Sequence, residues 1–289
     1  MHQGRTAQSA LTGEVVWPGD PLYETGRRAF NSRFDRYPTA IVYCAETRDV
    51  QNAVTWARTE GLSISVRSGG HSYEAYSVLD NRLLIDLSRL AQISIDHDAG
   101  TATVGPGVRL QDLYAALGAE GVAVSAGTCP GVALGGLVLG GGIGFRSRRD
   151  GLTCDSLVAA DVVLGDGRAV RASSGDQPDL FWALRGGGGG NFGIATSFTV
   201  RTTPADDVAM ASITWPWDEA PQVIEAWQAW APSADPRLSS SLAFFRPDSG
   251  VIGFTGLLLG SVEELEALLA PLLASGSPSP FLRPLSWLE

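Results

Sequence analysis

Apolar positions in the first part of the chain follow the spacing of strands in some segments and that of helices in others. Residues 39–45 (TAIVYCA) and 62–66 (LSISV) have the β-branched, apolar character of buried strands. Between them, residues 47–61 place Val50 and Val54 on one helical face. This order predicts a β-α-β unit. The runs RLLIDL, QISID and TATVG predict further strands, and VRLQDLYAALGAEG predicts a helix that ends at a glycine.

The remaining pattern predicts a hairpin, followed by a separate group of strands and helices. Two alternating strands flank Asp166-Gly167, a residue pair typical of hairpin turns. After Thr203-Pro204 the pattern changes to strand, helix, two strands and helix, and Ser261 is the expected N-cap of the last helix. The predicted fold class is α+β. The expected division is an N-terminal segment at 1–35, a first domain at 36–204 and a partial second domain at 205–289.

Composition and charge narrow the classes of partner. The formal net charge is −10, without blocks of like charge, so no nucleic-acid partner is expected. The first twenty residues lack an apolar segment after a basic start, which predicts a cytoplasmic protein without a secretory signal. Residues 121–145 are uncharged, but their nine glycines and one proline favour a buried loop with turns around a ligand over a membrane helix.

The three cysteines are too few and too widely spaced for a metal site or a disulfide framework. No metal ligands are therefore predicted. Cys44 and Cys154 lie in apolar runs and are expected to be small buried core residues. Cys129 differs because it lies in the glycine-rich segment GTCPG.

Three glycine-rich segments, RSGGHS, GTCPGVALGGLVLGGGIG and RGGGGGNFGI, stand out in the chain. Residues 188–193 formally match the dinucleotide pattern G-x-G-x-x-G, but a helix-like run precedes them and a strand-like run follows, which is the reverse of the Rossmann order. A Rossmann NAD site is therefore excluded. A P-loop is excluded because the sequence contains no G-x-x-x-x-G-K-[ST] motif. Glycine-rich backbone can hold a phosphate group, and it can equally serve tight turns, so the residues alone leave both interpretations open.

Four segments of the chain together resemble a known family. NSRFDRYPTAIVYC, VRSGGHSY, GTCPGVALGGLVLGGGIGFRSRRDGLTCDSL and FWALRGGGGGNFGI are similar, in order and spacing, to the berberine bridge enzyme-like flavin oxidoreductases. The resemblance is dense over residues 14–204 and looser over 205–289. It implies a two-subdomain FAD-binding domain of the vanillyl-alcohol oxidase type, followed by a substrate domain with an antiparallel sheet.

The resemblance also implies site residues. Similar proteins attach FAD twice, through a histidine after Gly-Gly to the flavin 8α methyl group and through a cysteine in a G-x-C-P loop to ring carbon 6. These positions are His71 and Cys129, and attachment through one of them alone stays an alternative. Further cofactor contacts are expected at the diphosphate, at the flavin loop, and at the adenine and ribityl end, with turn geometry or core packing as the competing explanation. These residues are Arg67, Ser68, Gly69, Gly70, Ser72, Gly127, Thr128, Val132, Gly135, Gly136, Gly141, Gly142, Gly144, Asn191, Gly193 and Ile194.

The resemblance implies an FAD-dependent oxidoreductase that takes a hydride from a CH–OH or related donor. A small residue three positions after the linking cysteine accompanies oxygen access in the family. Val132 at that position favours an oxidase that uses molecular oxygen over a dehydrogenase, although core packing also suits valine. The expected substrates are small molecules: sugars, alkaloids or other secondary metabolites.

The match ends before the part of the family that supplies the substrate-side base, so no catalytic residue is predicted. Two hypotheses follow: a shortened oxidase, or a non-catalytic flavin-binding or scaffold protein. Absent strands would leave a sheet edge and apolar surface uncovered, which predicts association with another chain or a complementing segment.

Overall fold

The computed structural model describes residues 11–244 and 250–286. Parts of the predictions lie outside these ranges: residues 1–10 of the N-terminal segment, which were also examined for a secretory signal, and residues 245–249 and 287–289 of the second domain, which include Phe245 at the end of one predicted strand. The described strands are β1 (Glu14–Val16), β2 (Ala40–Tyr43), β3 (Ile64–Arg67), β4 (Leu83–Asp86), β5 (Ile93–Asp96), β6 (Thr101–Val104), β7 (Val122–Ala123), β8 (Leu157–Val163), β9 (Ala169–Ser173), β10 (Ile194–Arg201), β11 (Thr203–Pro204), β12 (Val208–Pro216), β13 (Leu238–Phe244), β14 (Val251–Leu258) and β15 (Ser279–Leu285).

Eight α-helices lie between strands along the described part of the chain. They are α1 (Tyr23–Gly26), α2 (Thr47–Thr59), α3 (Leu110–Ala119), α4 (Leu134–Leu139), α5 (Ser147–Asp150), α6 (Pro178–Leu184), α7 (Ala220–Trp230) and α8 (Val262–Leu273). None of the helices in the described part of the chain has the length and apolar character needed to cross a bilayer. The predicted α+β class is confirmed.

The first sheet has the order β1-β2-β4-β3 and contains the predicted β-α-β unit. Strands β2 and β3 both run parallel to β4, which lies between them, while α2 makes the crossover. Val50 and Val54 of α2 are buried against Val42 and Ile85 of the sheet, as the helical face predicted. Strand β3 is therefore at the edge of this sheet.

The second sheet has the order β5-β6-β10-β8-β9 and is antiparallel. The predicted turn at Asp166-Gly167 joins β8 to β9, so that hairpin is confirmed. Leu110, Leu113 and Leu117 of α3 are fully buried in the core of this part of the molecule. Val163 of β8 and Ile194 of β10 pack in the core of the first sheet, so the two sheets share part of their core.

The last sheet, β13-β14-β12-β15, carries α7 and α8 on one face. Trp215 is fully buried there, and its indole N–H donates to the Ser275 carbonyl at 2.8 Å. The predicted N-cap is confirmed, because Ser261 Oγ accepts from the Glu264 amide at 3.3 Å. Buried side chains of the sheet and of the two helices, among them Trp215, Leu265 and Leu269, form a hydrophobic core between them.

A cluster of charged residues joins the first two sheets to the last one. The Arg146 guanidinium is buried, pairs with Asp150 at 2.8 Å and with Asp206 at 3.3 Å, and donates to the Pro204 carbonyl. Hydrogen bonds from Arg149 and Arg146 hold the pKa of Asp150 below its usual value, against the opposing effect of burial. The cluster fixes the segment after α4 to the chain that enters β12.

Candidate functional site

A cavity of about 1570 Å³ lies between the first and second sheets, alongside the edge strand β3. Parts of all three glycine-rich segments line it, which brings together residues that are far apart in the sequence. The predicted site residues that line this cavity are Ser68, Gly69, Gly70, His71, Ser72, Cys129, Val132, Gly135, Gly136, Asn191, Gly193 and Ile194.

Residues 68–72, which include His71 and are called the histidine loop, contact residues 127–135, which include Cys129 and are called the cysteine loop. Two glycines make this contact possible. A Cβ at Gly69 would lie 2.7 Å from the Ala133 amide nitrogen, and one at Gly135 would lie 2.5 Å from Ser68 Oγ. Real Cβ atoms do not approach other atoms so closely. The absence of side chains at these two positions therefore allows His71 and Cys129 to face the same cavity.

The structure places Arg67 away from the cavity. Arg67 is buried, its Nε lies 2.5 Å from an Asp86 carboxylate oxygen on the neighbouring strand, and it donates to the Arg28 carbonyl at 3.1 Å. A guanidinium held by a buried carboxylate has its charge neutralised locally. Arg67 supports the base of the histidine loop, and it is not among the residues that line the cavity.

Five further predicted residues also lie outside the cavity. A Cβ at Gly144 would lie 1.8 Å from the Ala126 carbonyl oxygen, and one at Gly142 would lie 2.2 Å from Thr153 Oγ1. These two glycines pack against the chain itself, as expected if they serve turn geometry and core packing and not cofactor contact. The residues that the structure does not bring into the cavity are Gly127, Thr128, Gly141, Gly142 and Gly144, in addition to Arg67.

The imidazole of His71 is held on one face and along one edge. The Phe30 ring stacks on it with a centroid distance of 4.2 Å and an interplanar angle of 20°. Burial lowers the pKa of His71, the positive charge of Arg109 lowers it further, and a hydrogen bond with the Gly131 backbone partly opposes both. The lowered pKa favours the uncharged ring, the state in which a ring nitrogen acts as a nucleophile.

Cys129 is the exposed cysteine among the three, and it lies at the wall of the cavity. Its carbonyl accepts the Val132 amide at 3.2 Å, so the residue lies at the start of a tight turn. The other two thiols are buried, and burial raises the pKa of Cys44 and that of Cys154. A reactive role is consistent with the position of Cys129 and inconsistent with the positions of the other two.

The cavity fits a large cofactor with a phosphate-containing chain. Its volume exceeds the range of about 300–1,000 Å³ that is usual for small-ligand pockets. Apart from chain neighbours and the backbone of its own helix, a Cβ at Gly136 or Gly190 would meet no atom of the described residues within 4 Å, so these stretches of backbone border open space. The buried hydroxyls of Ser65 and Ser77 line the cavity, and neither has a hydrogen-bond partner among residues 11–244 and 250–286. Such hydroxyls are normally satisfied by a bound group or by water.

Several residues of this site were not identified from the sequence. The cavity is also lined by Phe30, Ser65, Ser77 and Arg82. Arg109 donates a hydrogen bond to the Gly131 carbonyl of the cysteine loop. The alternation of β3 could have marked Ser65 as an inward polar residue. No local signal identifies Phe30 or Arg109, because their contacts with the site are tertiary.

Comparison with known proteins agrees with this geometry. Residues 38–173 match the family model described as an FAD binding domain. The FAD-linked oxidoreductase YgaK of Bacillus subtilis is 43% identical over 276 residues, which is 94% of this chain and 61% of YgaK. The structure of Physcomitrella patens BBE-like 1 matches with a TM-score of 0.93 and 34% identity, over 98% of this chain and 62% of that one.

A third similarity concerns the cofactor. The glucooligosaccharide oxidase of Acremonium strictum, described with a 6-S-cysteinyl, 8α-N1-histidyl FAD, matches with a TM-score of 0.90 and 33% identity, over 98% of this chain and 61% of that one. The chain thus spans 61–62% of the length of each of these three proteins. The chain has the vanillyl-alcohol oxidase-type FAD-binding fold, and over nearly all of its length it is similar to berberine bridge enzyme-like FAD-linked oxidoreductases.

Proposed function

We propose that this chain carries the FAD site of an oxidase in which the flavin is attached covalently through both His71 and Cys129. The observation that carries the proposal is that these two nucleophiles, 58 positions apart in the sequence, line one cavity where their loops touch. The doubly linked flavin of the similar glucooligosaccharide oxidase supports it. An uncharged imidazole and an accessible thiol are the groups that such links require.

The two links have the same balance of atoms and electrons. The His71 link forms a carbon–nitrogen bond to the 8α carbon and breaks one C–H bond of that methyl group and the N–H bond of the ring. The Cys129 link forms a carbon–sulfur bond at ring carbon 6 and breaks one C–H and one S–H bond. In each case two electrons and two protons remain, and molecular oxygen takes them up as hydrogen peroxide.

The remaining cavity residues would hold the rest of the cofactor. Open backbone at Gly136 and Gly190 allows close approach of a phosphate chain, and the hydroxyls of Ser68 and Ser72 offer hydrogen-bond donors. Arg82 lines the cavity and supplies a positive charge. Asn191, Gly193 and Ile194 are proposed for the adenine and ribityl end, although Ile194 is also a buried core residue.

Bound FAD would supply a two-electron acceptor for a donor C–H bond and would pass the electrons to molecular oxygen. Val132, half-buried in the cavity wall beside the cysteine turn, leaves more room than a larger residue would for oxygen to reach the flavin. The proposed donor is a CH–OH group of a sugar or a related small molecule. The names of the similar carbohydrate and oligosaccharide oxidases favour sugars over alkaloids.

Acid precipitation of the purified protein tests the covalent attachment. A yellow pellet is expected, with intact-protein mass increased by one flavin. The variants H71A and C129A should each retain one link and show shifted flavin absorbance, whereas the controls H97A and C154A should match the wild type. Flavin released entirely into the supernatant would contradict the covalent proposal, and protein without flavin would favour the scaffold hypothesis.

Oxygen consumption with a panel of sugars tests the reaction. Peroxide release in step with substrate oxidation is the expected result. Reduction of an artificial dye by the same substrates without oxygen consumption would favour a dehydrogenase. The variant V132L should slow the reoxidation of reduced flavin by oxygen by about tenfold while it leaves flavin content unchanged.

A further inference from the structure

We propose that Phe30 and Arg109 are positioning residues for the attachment of the flavin at His71. Phe30 fixes the plane of the imidazole, and Arg109 fixes the cysteine loop against its edge. This inference rests on the proposed function, because it concerns how one of the two proposed links forms. Neither residue belongs to a glycine-rich segment.

The segment that carries Phe30 is bound to the histidine loop on both sides of His71. The Phe30 amide donates to the Gly70 carbonyl at 3.0 Å, and the Asn31 side-chain amide donates to the Tyr73 carbonyl at 2.7 Å. Between these two bonds the Phe30 ring stacks on the imidazole. The stack leaves the imidazole little freedom to rotate about its side-chain bonds, so a ring nitrogen is held in one direction before any cofactor is attached.

Arg109 acts on the opposite side, through the cysteine loop. Its guanidinium Nη1 donates to the Gly131 carbonyl at 2.7 Å, and its backbone pairs with Ala133. A Cβ at Gly131 would lie 3.3 Å from His71 Nε2 and 3.8 Å from Arg109 Nη1. The Gly131 backbone therefore lies between the imidazole and the guanidinium, and glycine at this position lets the loop approach the ring.

The charge of Arg109 has a chemical consequence for attachment. The carbon–nitrogen bond forms only from a ring nitrogen that has a free electron pair, so the imidazolium form is inactive. In the described part of the chain, the groups that act on the ring are Arg109, the Gly131 backbone and the Phe30 ring, and Arg109 is the charged one. A nearby positive charge disfavours protonation and keeps the ring available at lower pH.

The rate of attachment at His71 tests this inference. Apoprotein from a riboflavin-requiring host would be mixed with FAD, in a C129A background so that His71 provides the one proposed link. Mass spectrometry would follow the attached fraction with time, from about pH 5 to pH 9. The variants are R109M, R109K and F30L. The matched controls are R201M and F281L, which change an exposed arginine and an exposed phenylalanine outside the cavity.

Two parts of the pH profile separate the two roles. R109M should move the midpoint of the profile to higher pH and lower the rate near pH 6 by about fivefold to tenfold, whereas R109K should keep the wild-type midpoint. F30L should lower the rate by about tenfold even at high pH, where every imidazole is uncharged, because it removes the flat stacking surface. Both controls should follow the wild-type profile.

Non-covalent binding of FAD keeps the test decisive. In an H71A/C129A background, R109M should leave the dissociation constant of FAD within about twofold of the background value, and F30L should weaken binding by much less than it slows attachment. A loss of affinity as large as the loss of rate would assign these residues to cofactor binding and would overturn the inference. Wild-type rates at every pH in R109M and F30L would also overturn it. Absence of any His71-linked flavin in the unaltered background would instead refute the proposed function.

Discussion

Glycines of two glycine-rich regions, Gly142 and Gly144 in residues 127–144 and Gly190 in residues 186–193, differ in what surrounds them. In the first, a Cβ at Gly142 or Gly144 would overlap atoms of the chain itself. In the second, a Cβ at Gly190 would meet nothing within 4 Å, and the surrounding residues line the cavity. Similar composition therefore serves two purposes: Gly142 and Gly144 are packed support, whereas Gly190, like Gly136 of the first region, borders the cavity. Substitutions by alanine should separate these purposes.

The largest effect is expected at Gly144. In G144A the new methyl group would overlap the Ala126 carbonyl, and we expect the free energy of unfolding to fall by about 3 kcal/mol or more. Urea denaturation of the apoprotein measures it. Gly175 provides the control, because it lies outside the cavity and a Cβ there would meet none of the described atoms within 4 Å. The free energy of unfolding of G175A should stay within about 0.5 kcal/mol of the wild-type value. Equal effects of the two variants would contradict the comparison.

The next effect concerns the ion cluster that follows the first region. D150N leaves the buried Arg146 with less compensation, and we expect a loss of about 2 kcal/mol at neutral pH. The pKa of Asp150 is lowered in the folded state, so its contribution is present above the pKa of the unfolded chain. It is lost as the pH falls through the lower folded value. Denaturation curves of the two proteins should therefore converge in acid; a constant difference down to low pH would contradict this account.

An intermediate effect is expected where the histidine and cysteine loops touch. G69A should lower the free energy of unfolding by about 2 kcal/mol, because its methyl group would press on the Ala133 amide. The separation of the loops should lower the yield of doubly linked flavin more strongly than it lowers stability. The ratio of doubly to singly linked protein by mass spectrometry measures this effect. A destabilised variant with an unchanged ratio would show that the loop contact does not align the two links.

The smallest effect on stability, with the opposite sign, is expected at Gly136. This glycine is inside α4 and borders the cavity without a close neighbour. G136A should stabilise the apoprotein by about 0.5–1 kcal/mol, since alanine favours the helix. The same methyl group would extend into the space proposed for the cofactor and should reduce flavin content. If G136A gained stability and kept full flavin content, Gly136 would not border the cofactor.

Much of the fold could be predicted from local pattern, and the exceptions have identifiable causes. The segment 121–145 was expected to form loops and turns because it is rich in glycine, yet it contains α4. One of the helical glycines, Gly135, is needed for close packing, since a side chain there would overlap Ser68 and Pro106. Helix propensity is overridden there by close packing. Strand β15 was not predicted, since Pro280 and Pro284 argue against a central strand. It is compatible with them as the edge strand of its sheet.

For the site, the sequence and the resemblance indicated His71 and Cys129, which the structure places in one cavity, but not what surrounds them. Phe30 stacks on a ring 41 positions away, and Arg109 acts through a backbone carbonyl of another loop. Contacts of this kind depend on how the sheets pack, and no periodicity in the sequence reports them. Glycine-rich sequence likewise could not distinguish Gly136, at the cavity, from Gly144, which is packed against the chain.

The position of β3 at the edge of its sheet has a consequence for handling the protein. Ile64, Ser65 and Val66 of this strand line the cavity, so the side of β3 that faces away from β4 borders a space rather than a neighbouring strand. Peptide groups along an open edge can pair with another chain. Flavin-free protein should therefore self-associate on storage more readily than flavin-loaded protein, and supplying riboflavin during expression should raise the yield of monodisperse material.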